Sequence, residues 1–238
     1  MQEPYSLTRD PLYYFTVGFF ALLTTALPAL LGQPRFLPLI QALALTVFMA
    51  IPLQKGHLRG AINVMVLWLL LQYTLIALLT WGFGGYVERA IDDGFVYRGE
   101  LASWFYDETV LPGGLQAAPI ARLIEILGII LGSLLTAGLV GAWFLVRAVD
   151  LAGFGTGALL TSLDTPALIL RVIPLWSLVR IAGYAGLVIL LAEPLLANRW
   201  SLTHLLTQRR QLLWISLGLV VGGLLLELVL PGLMARAA

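Results

Sequence analysis

Seven ionisable residues stand inside or beside long apolar runs of this chain: Arg122, Glu125, Asp164, Arg171, Arg180, Glu193 and Glu227. A charge at the centre of a bilayer costs about 3 kcal/mol or more, so such residues face protein or water and often mark an ion or solute path. Asp164, Arg171, Arg180, Glu193 and Glu227 form the candidate functional set. They also have a purely structural reading. Arg122 and Glu125 can pair three residues apart on a helix, Glu193 and Glu227 lie near helix ends, and Arg180 can snorkel to the water line. Structural pairing is weighed above a transport path.

Other chemistries find no residues to carry them. The chain has no cysteine, which removes disulfides, thiol nucleophiles, iron–sulfur ligation and cysteine-based zinc sites. Its two histidines, His57 in QKGHLRG and His204 in SLTHLLTQRR, sit in short basic linkers and do not make a haem or metal pair. The only lysine, Lys55, also lies in a linker. GFGTG at 153–157 lacks a preceding strand and a Walker lysine, so it reads as tight helix packing or a surface turn, not as a phosphate loop. No catalytic, cofactor-binding or metal-ligating residue is assigned, and neither a cofactor nor an enzymatic activity is expected. With 14 basic and 13 acidic residues there is no cationic surface for nucleic acid.

The elements that must position the charged set are helices. Of the 238 residues 60% are hydrophobic and 11% charged, and the apolar ones gather into windows of ~17–25 residues. This predicts an all-α polytopic integral membrane bundle, one membrane domain over residues 1–238 with about seven transmembrane helices. Residues 1–60 hold two helices, about Tyr14 to Leu31 and Phe36 to Leu53. The first reads as uncleaved, because no A-x-A-like site follows it. A third runs from about Ala61 to Trp81. Residues 82–119 then carry six acids against two arginines, net −4, an acidic extracytoplasmic loop. Within it Leu101, Trp104 and Phe105 fall at helical spacing, which predicts a short helix on the outer interface or docked on the protein.

Core helices follow over 120–238. A single crossing is expected from about Ile124 to Val146, with Gly128, Gly132 and Thr136 on one face for close helix packing. Arg147 and Asp150 are expected to pair at the inner boundary. Leu151 to Arg180 spans roughly 45 Å at 1.5 Å per residue, too long for one straight crossing, so one broken crossing is expected with its break at Asp164-Thr165-Pro166. The last two helices run from about Ile181 to Leu196 and Leu212 to Leu230. The latter carries Gly218 and Gly222 four apart for packing and stops at Pro231-Gly232. Lys55 and Arg59 in one linker and Arg199 to Arg210 in another place both linkers in the cytoplasm, with the N-terminus inside and the C-terminus on the opposite side.

From the third helix onward, over residues 61–238, the layout resembles the stage II sporulation protein M family: a crossing, a long outer loop, four crossings with a glycine-rich turn, and an acidic-to-proline ending. The corresponding residues are Gly153, Gly155 and Gly157 in the turn, Pro174 later, and Glu227 with Pro231 at the end. RVIPLWSLVR stands where many members carry a His-Gly proline segment. The resemblance implies a non-enzymatic membrane subunit of a larger assembly.

The expected function is a membrane scaffold or assembly subunit, in a bacterial inner or internal membrane, with the lipid bilayer and other membrane proteins as partners. The alternative is a transporter or channel component. A transporter needs a water-accessible polar path towards the midplane, whereas a scaffold needs a closed core and a docking face.

Overall fold

A computed structural model describes residues 10–107, 109–161, 172–197 and 207–235. These residues form eight α-helices and no strand: α1 (Pro11–Leu30), α2 (Phe36–Gln54), α3 (Leu58–Ala90), α4 (Gly94–Asp107), α5 (Pro119–Leu135), α6 (Leu139–Leu160), α7 (Leu175–Leu196) and α8 (Arg210–Ala235). The all-α bundle expected from the sequence is the fold. Six helices, α1, α2, α3, α6, α7 and α8, are long and apolar enough to cross a membrane. Asp164, Arg171 and the expected break at Asp164-Thr165-Pro166 lie outside the described residues, as do Arg199 and His204.

Local chemistry sets the helix starts and stops. Asp10 caps α1 by accepting the Leu12 amide at 2.9 Å, and Pro11 fills the first turn, where no amide donor is needed. The 33 residues of α3 outrun a membrane core, and the helix leaves helical geometry at Phe83, within the WGFGG stretch where apolar character ends. Helix α4 docks on the protein: Leu101, Trp104 and Phe105 are buried, and Trp104 meets Trp176 of α7 at 6.1 Å between ring centroids.

The central stretch departs from the expected single crossing. It is a hairpin, α5 turning into α6 at Thr136-Ala137-Gly138. The Thr136 hydroxyl donates to the Gly132 carbonyl at 2.6 Å and accepts the Val140 amide at 2.9 Å, so one side chain serves both helix ends. Ala137 and Gly138 follow with φ of 53° and 93°, and Gly138 sits where a Cβ would lie 2.9 Å from that of Ala192. The small-residue face is only half-buried, and it packs against the other arm of its own hairpin: Gly128 faces the Phe144 ring, and Gly132 faces Val140 and Gly141.

These contacts make α5 and α6 antiparallel. Gln72 reaches Asp150 and Gly157 meets Ala77, so α3 and α6 run parallel. The glycines of GFGTG, placed in a turn by the family layout, are helical, and Gly153 and Gly157 let α6 lie directly on the α3 backbone. Residues 151–160 finish α6 and residues 175–180 open α7, which runs back: Thr156 of α6 lies 3.4 Å from the Val172 carbonyl, and Gly138 lies beside Ala192. The block from Leu151 to Arg180 therefore contributes to two helices of opposite direction, not to one crossing. Helix α8 continues through Pro231 to Ala235 instead of stopping there.

One end of the bundle consequently gathers the start of α1, Lys55 and Arg59, the 136–138 turn, and Arg209 and Arg210. The other gathers the α1–α2 turn, the acidic α3–α4 region, the start of α5 and the end of α8. Helices α6 and α7 are the inner pair, with 61% and 67% of their apolar windows buried, whereas α8 buries 22% and presents most of its surface outward. Gly218 and Gly222 lie on that surface, where a Cβ would meet no atom within 4 Å, so among the described residues nothing packs against them. The packing glycine of α8 is Gly223, pressed against Arg180.

Candidate functional site

Two buried polar centres lie in the half of the bundle nearest the acidic end. The first joins α5, α7 and α8. Arg180 forms an ion pair with Glu227 in which both side chains are almost wholly buried, so Arg180 does not snorkel. Glu227 also accepts the Leu115 amide at 2.8 Å and lies 3.5 Å from Arg122 Nε. Arg122 in turn donates to Glu125, the i,i+3 pair expected from the sequence, and Glu125 lies 3.9 Å from Arg180 Nε. Two arginines and two glutamates balance one another in a site of low dielectric. The geometry clamps three helices and the loop before α5.

Beside this clamp is a cavity of about 310 Å³, walled by Leu101, Trp104, Leu159 and Trp176, with Arg122 and Arg180 on one side. Tyr97 of α4 lines it, its ring 6.2 Å from that of Phe154. Desolvation raises the Tyr97 phenol above its ordinary pKa, against the opposing pull of Arg122 and Arg180, so it stays a neutral hydrogen-bonding group at physiological pH.

The second centre was not legible as a site in the sequence. Asp150, midway along α6, is 2% exposed and has no cationic partner among the described residues. Its Oδ1 accepts hydrogen bonds from Gln41 Nε2 of α2 at 3.1 Å and from Gln72 Nε2 of α3 at 2.8 Å. Gln72 also donates to the Val146 carbonyl at 2.9 Å, and Gln41 to the Thr25 hydroxyl of α1 at 3.1 Å. Thr25, Gln41 and Gln72 are fully buried. Three acceptors in this cluster have no hydrogen-bond partner among the described residues: Asp150 Oδ2, Gln41 Oε1 and Gln72 Oε1.

Arg147, one turn before Asp150, points elsewhere. It pairs with Asp92 of the α3–α4 turn at 2.9 Å and stacks over Trp143 at 5.4 Å, so the expected Arg147–Asp150 pair does not form. A second cavity, about 540 Å³, is lined by the buried Asp150 and half-buried Leu151 at one side and by the exposed Asp92, Asp93 and Glu100 at its mouth. The mouth reaches the surface, where Asp92 and Arg147 are about half exposed. Tyr97, Gly113, Arg147 and Leu151 line both cavities and form the partition between them.

Of the sequence candidates, Arg180 and Glu227 come together, while Glu193 sits at the opposite end in a two-bond pair with Arg209, at 2.8 and 3.1 Å, that ties α7 to the start of α8. The signal for the second centre was present in Gln41 and Gln72, each interrupting an apolar window. Amides carry no charge, so a lone glutamine in an apolar window does not mark a site by itself. Comparison with family models, with curated proteins and with solved structures finds no match for this chain.

Proposed function

We propose that this protein is a component of a membrane transport system that takes a small cation into the bilayer from the acidic end of the bundle. The observation that carries the reading is Asp150, a buried carboxylate without a cationic partner among the described residues, lining a cavity whose exposed edge is acidic. Carboxylates placed this way serve pumps and transporters as proton or cation relays, because an uncompensated charge at that depth is otherwise costly. Acidic residues at the mouth raise the local cation concentration ahead of the site. The orientation follows from Lys55, Arg59, Arg209 and Arg210, which belong to one end and put it in the cytoplasm by the positive-inside rule. The N-terminus is then cytoplasmic, and the acidic mouth and the C-terminus are on the far side of a bacterial inner or internal membrane.

The scaffold reading keeps one observation of its own. Gly218 and Gly222 make a flat strip on the outward side of α8, the surface another transmembrane helix packs against. A transport component held to a partner subunit through α8 satisfies both. The test is flux: vesicles reconstituted with the protein should show cation-dependent uptake that Asp150→Asn abolishes while the protein remains folded. Equal uptake by the variant and the parent contradicts the reading.

A further inference from the structure

We infer that Asp150, Gln41 and Gln72, with Thr25 behind them, form a binding site for one monovalent alkali cation stripped of most of its water. The inference rests on the reading of Asp150 as part of an entry path and names what that path delivers. Its first support is that the orientation of both amides is fixed by chemistry. Gln72 Nε2 faces two groups that only accept, the Val146 carbonyl and Asp150 Oδ1, so exchanging its nitrogen and oxygen would set oxygen against oxygen twice. Gln41 Nε2 faces the same Oδ1 and the Thr25 hydroxyl. Both donors of each amide are thereby spent, and each amide oxygen is left over.

The second support is the count of what remains. Asp150 Oδ2, Gln41 Oε1 and Gln72 Oε1 are three acceptors from three helices, all buried, each belonging to a group already joined at Asp150 Oδ1. A proton on Oδ2 would give that atom one hydrogen to donate and could satisfy one amide oxygen. A water molecule brings two hydrogens for three oxygens. A hard cation takes oxygen ligands without that limit and at the same time neutralises the carboxylate.

Charge selects the ion class. The site has one formal negative charge, and among the described residues no group of three or more histidine, cysteine or acidic side chains converges, so the carboxylate set of a divalent ion is not assembled. One carboxylate with two neutral amide oxygens suits a single positive charge. The charged and titratable groups that face the approach are Asp92, Asp93, Glu100, Tyr97 and Arg147, of which Arg147 is held by Asp92. Because Asp150 Oδ2, Gln41 Oε1 and Gln72 Oε1 come from α6, α2 and α3, a bound cation fastens three helices at once.

The experiment is equilibrium binding of radiolabelled sodium and potassium to the full-length protein in detergent, with thermal unfolding followed in sodium, potassium or choline chloride at equal ionic strength and fixed pH. Saturable binding of about one alkali ion per chain is expected, with an unfolding midpoint that rises with sodium or potassium but not with choline. Asp150→Asn should abolish both effects. Should that variant fail to fold, Gln72→Leu keeps the carboxylate and should weaken binding at least tenfold. An unfolding midpoint that follows pH but neither alkali ion identifies a proton site and overturns the inference, as does unchanged binding in Gln72→Leu. Saturable binding in detergent without Asp150-dependent flux in vesicles would keep this site and reject the transport reading. Flux without saturable binding would do the reverse.

Discussion

The Arg147 guanidinium, one helical turn before Asp150 on α6, is committed to Asp92 at 2.9 Å and leaves the buried carboxylate to the two glutamines. Neighbours three apart on a helix are within reach of each other, so Asp92 decides which acid Arg147 serves. Asp92→Asn should release the guanidinium towards Asp150, where its fixed charge competes with a mobile cation. Sodium or potassium affinity should fall several-fold, and adding Arg147→Gln should restore it. Unchanged affinity in Asp92→Asn would show that the released side chain does not reach the site.

Arg180 and Glu227 give a prediction about stability. Removing one partner of a buried pair leaves a charge without compensation and typically costs ~3–5 kcal/mol, whereas replacing both by apolar residues of similar volume is often close to neutral. Glu227→Leu alone should therefore unfold at a much lower temperature than the parent, and Arg180→Met with Glu227→Leu should recover a large part of the loss. Arg122 and Glu125 share the network, so the recovery is incomplete. A double variant no more stable than Glu227→Leu would show that the pair is not the coupling element.

The two glycine ladders are expected to behave oppositely under the same substitution. At Gly132 a new Cβ would lie 2.6 Å from Val140 Cγ1, and overpacking of this kind typically costs ~1–3 kcal/mol. At Gly218 a Cβ meets open space, and leucine favours a helix more than glycine does. Gly132→Leu should lower thermal stability in detergent, and Gly218→Leu should not. If α8 docks on a partner subunit, Gly218→Leu should also abolish its co-purification. Equal loss of stability in both variants would contradict the hairpin packing.

Orientation is accessible because the chain has no cysteine to confuse labelling. Asp107→Cys, at the acidic end, should react with an impermeant thiol reagent in intact cells, and Lys55→Cys should react only after the membrane is opened. The reversed pattern would invert the bundle and turn the cavity mouth to the cytoplasm.

The fold was legible where hydrophobicity and charge spoke, and illegible where one hydroxyl decided. The windows of α1, α2 and the first part of α3 follow from apolar length, and the docked α4 from the spacing of Leu101, Trp104 and Phe105. The α5–α6 turn was hidden because Leu135 to Leu139 stays apolar; only Thr136 and the left-handed Ala137-Gly138 pair stop the helix. The hairpin adds one reversal of direction before α6 and the return of α7 after it replaces a single broken crossing, so the number of passes between the two basic linkers keeps its parity and both still fall at one end. The sites were legible in the same way. Arg180 and Glu227 stood out as charges, but Asp150 looked like a water-line residue because its partners, Gln41 and Gln72, come from helices about 109 and 78 residues away in sequence.

If Asp150 holds a cation that enters from the acidic end, water and cations reach its neighbourhood from that side, and a cysteine beside it reports this directly. Leu151 lines the cavity beside Asp150, whereas Leu187 is 2% exposed in the core. In right-side-out vesicles Leu151→Cys should react with an impermeant methanethiosulfonate added to the acidic face, more slowly when sodium or potassium replaces choline, while Leu187→Cys should not react. No reaction at Leu151→Cys from that face, or a rate indifferent to the cation in a protein that still folds, would contradict the account.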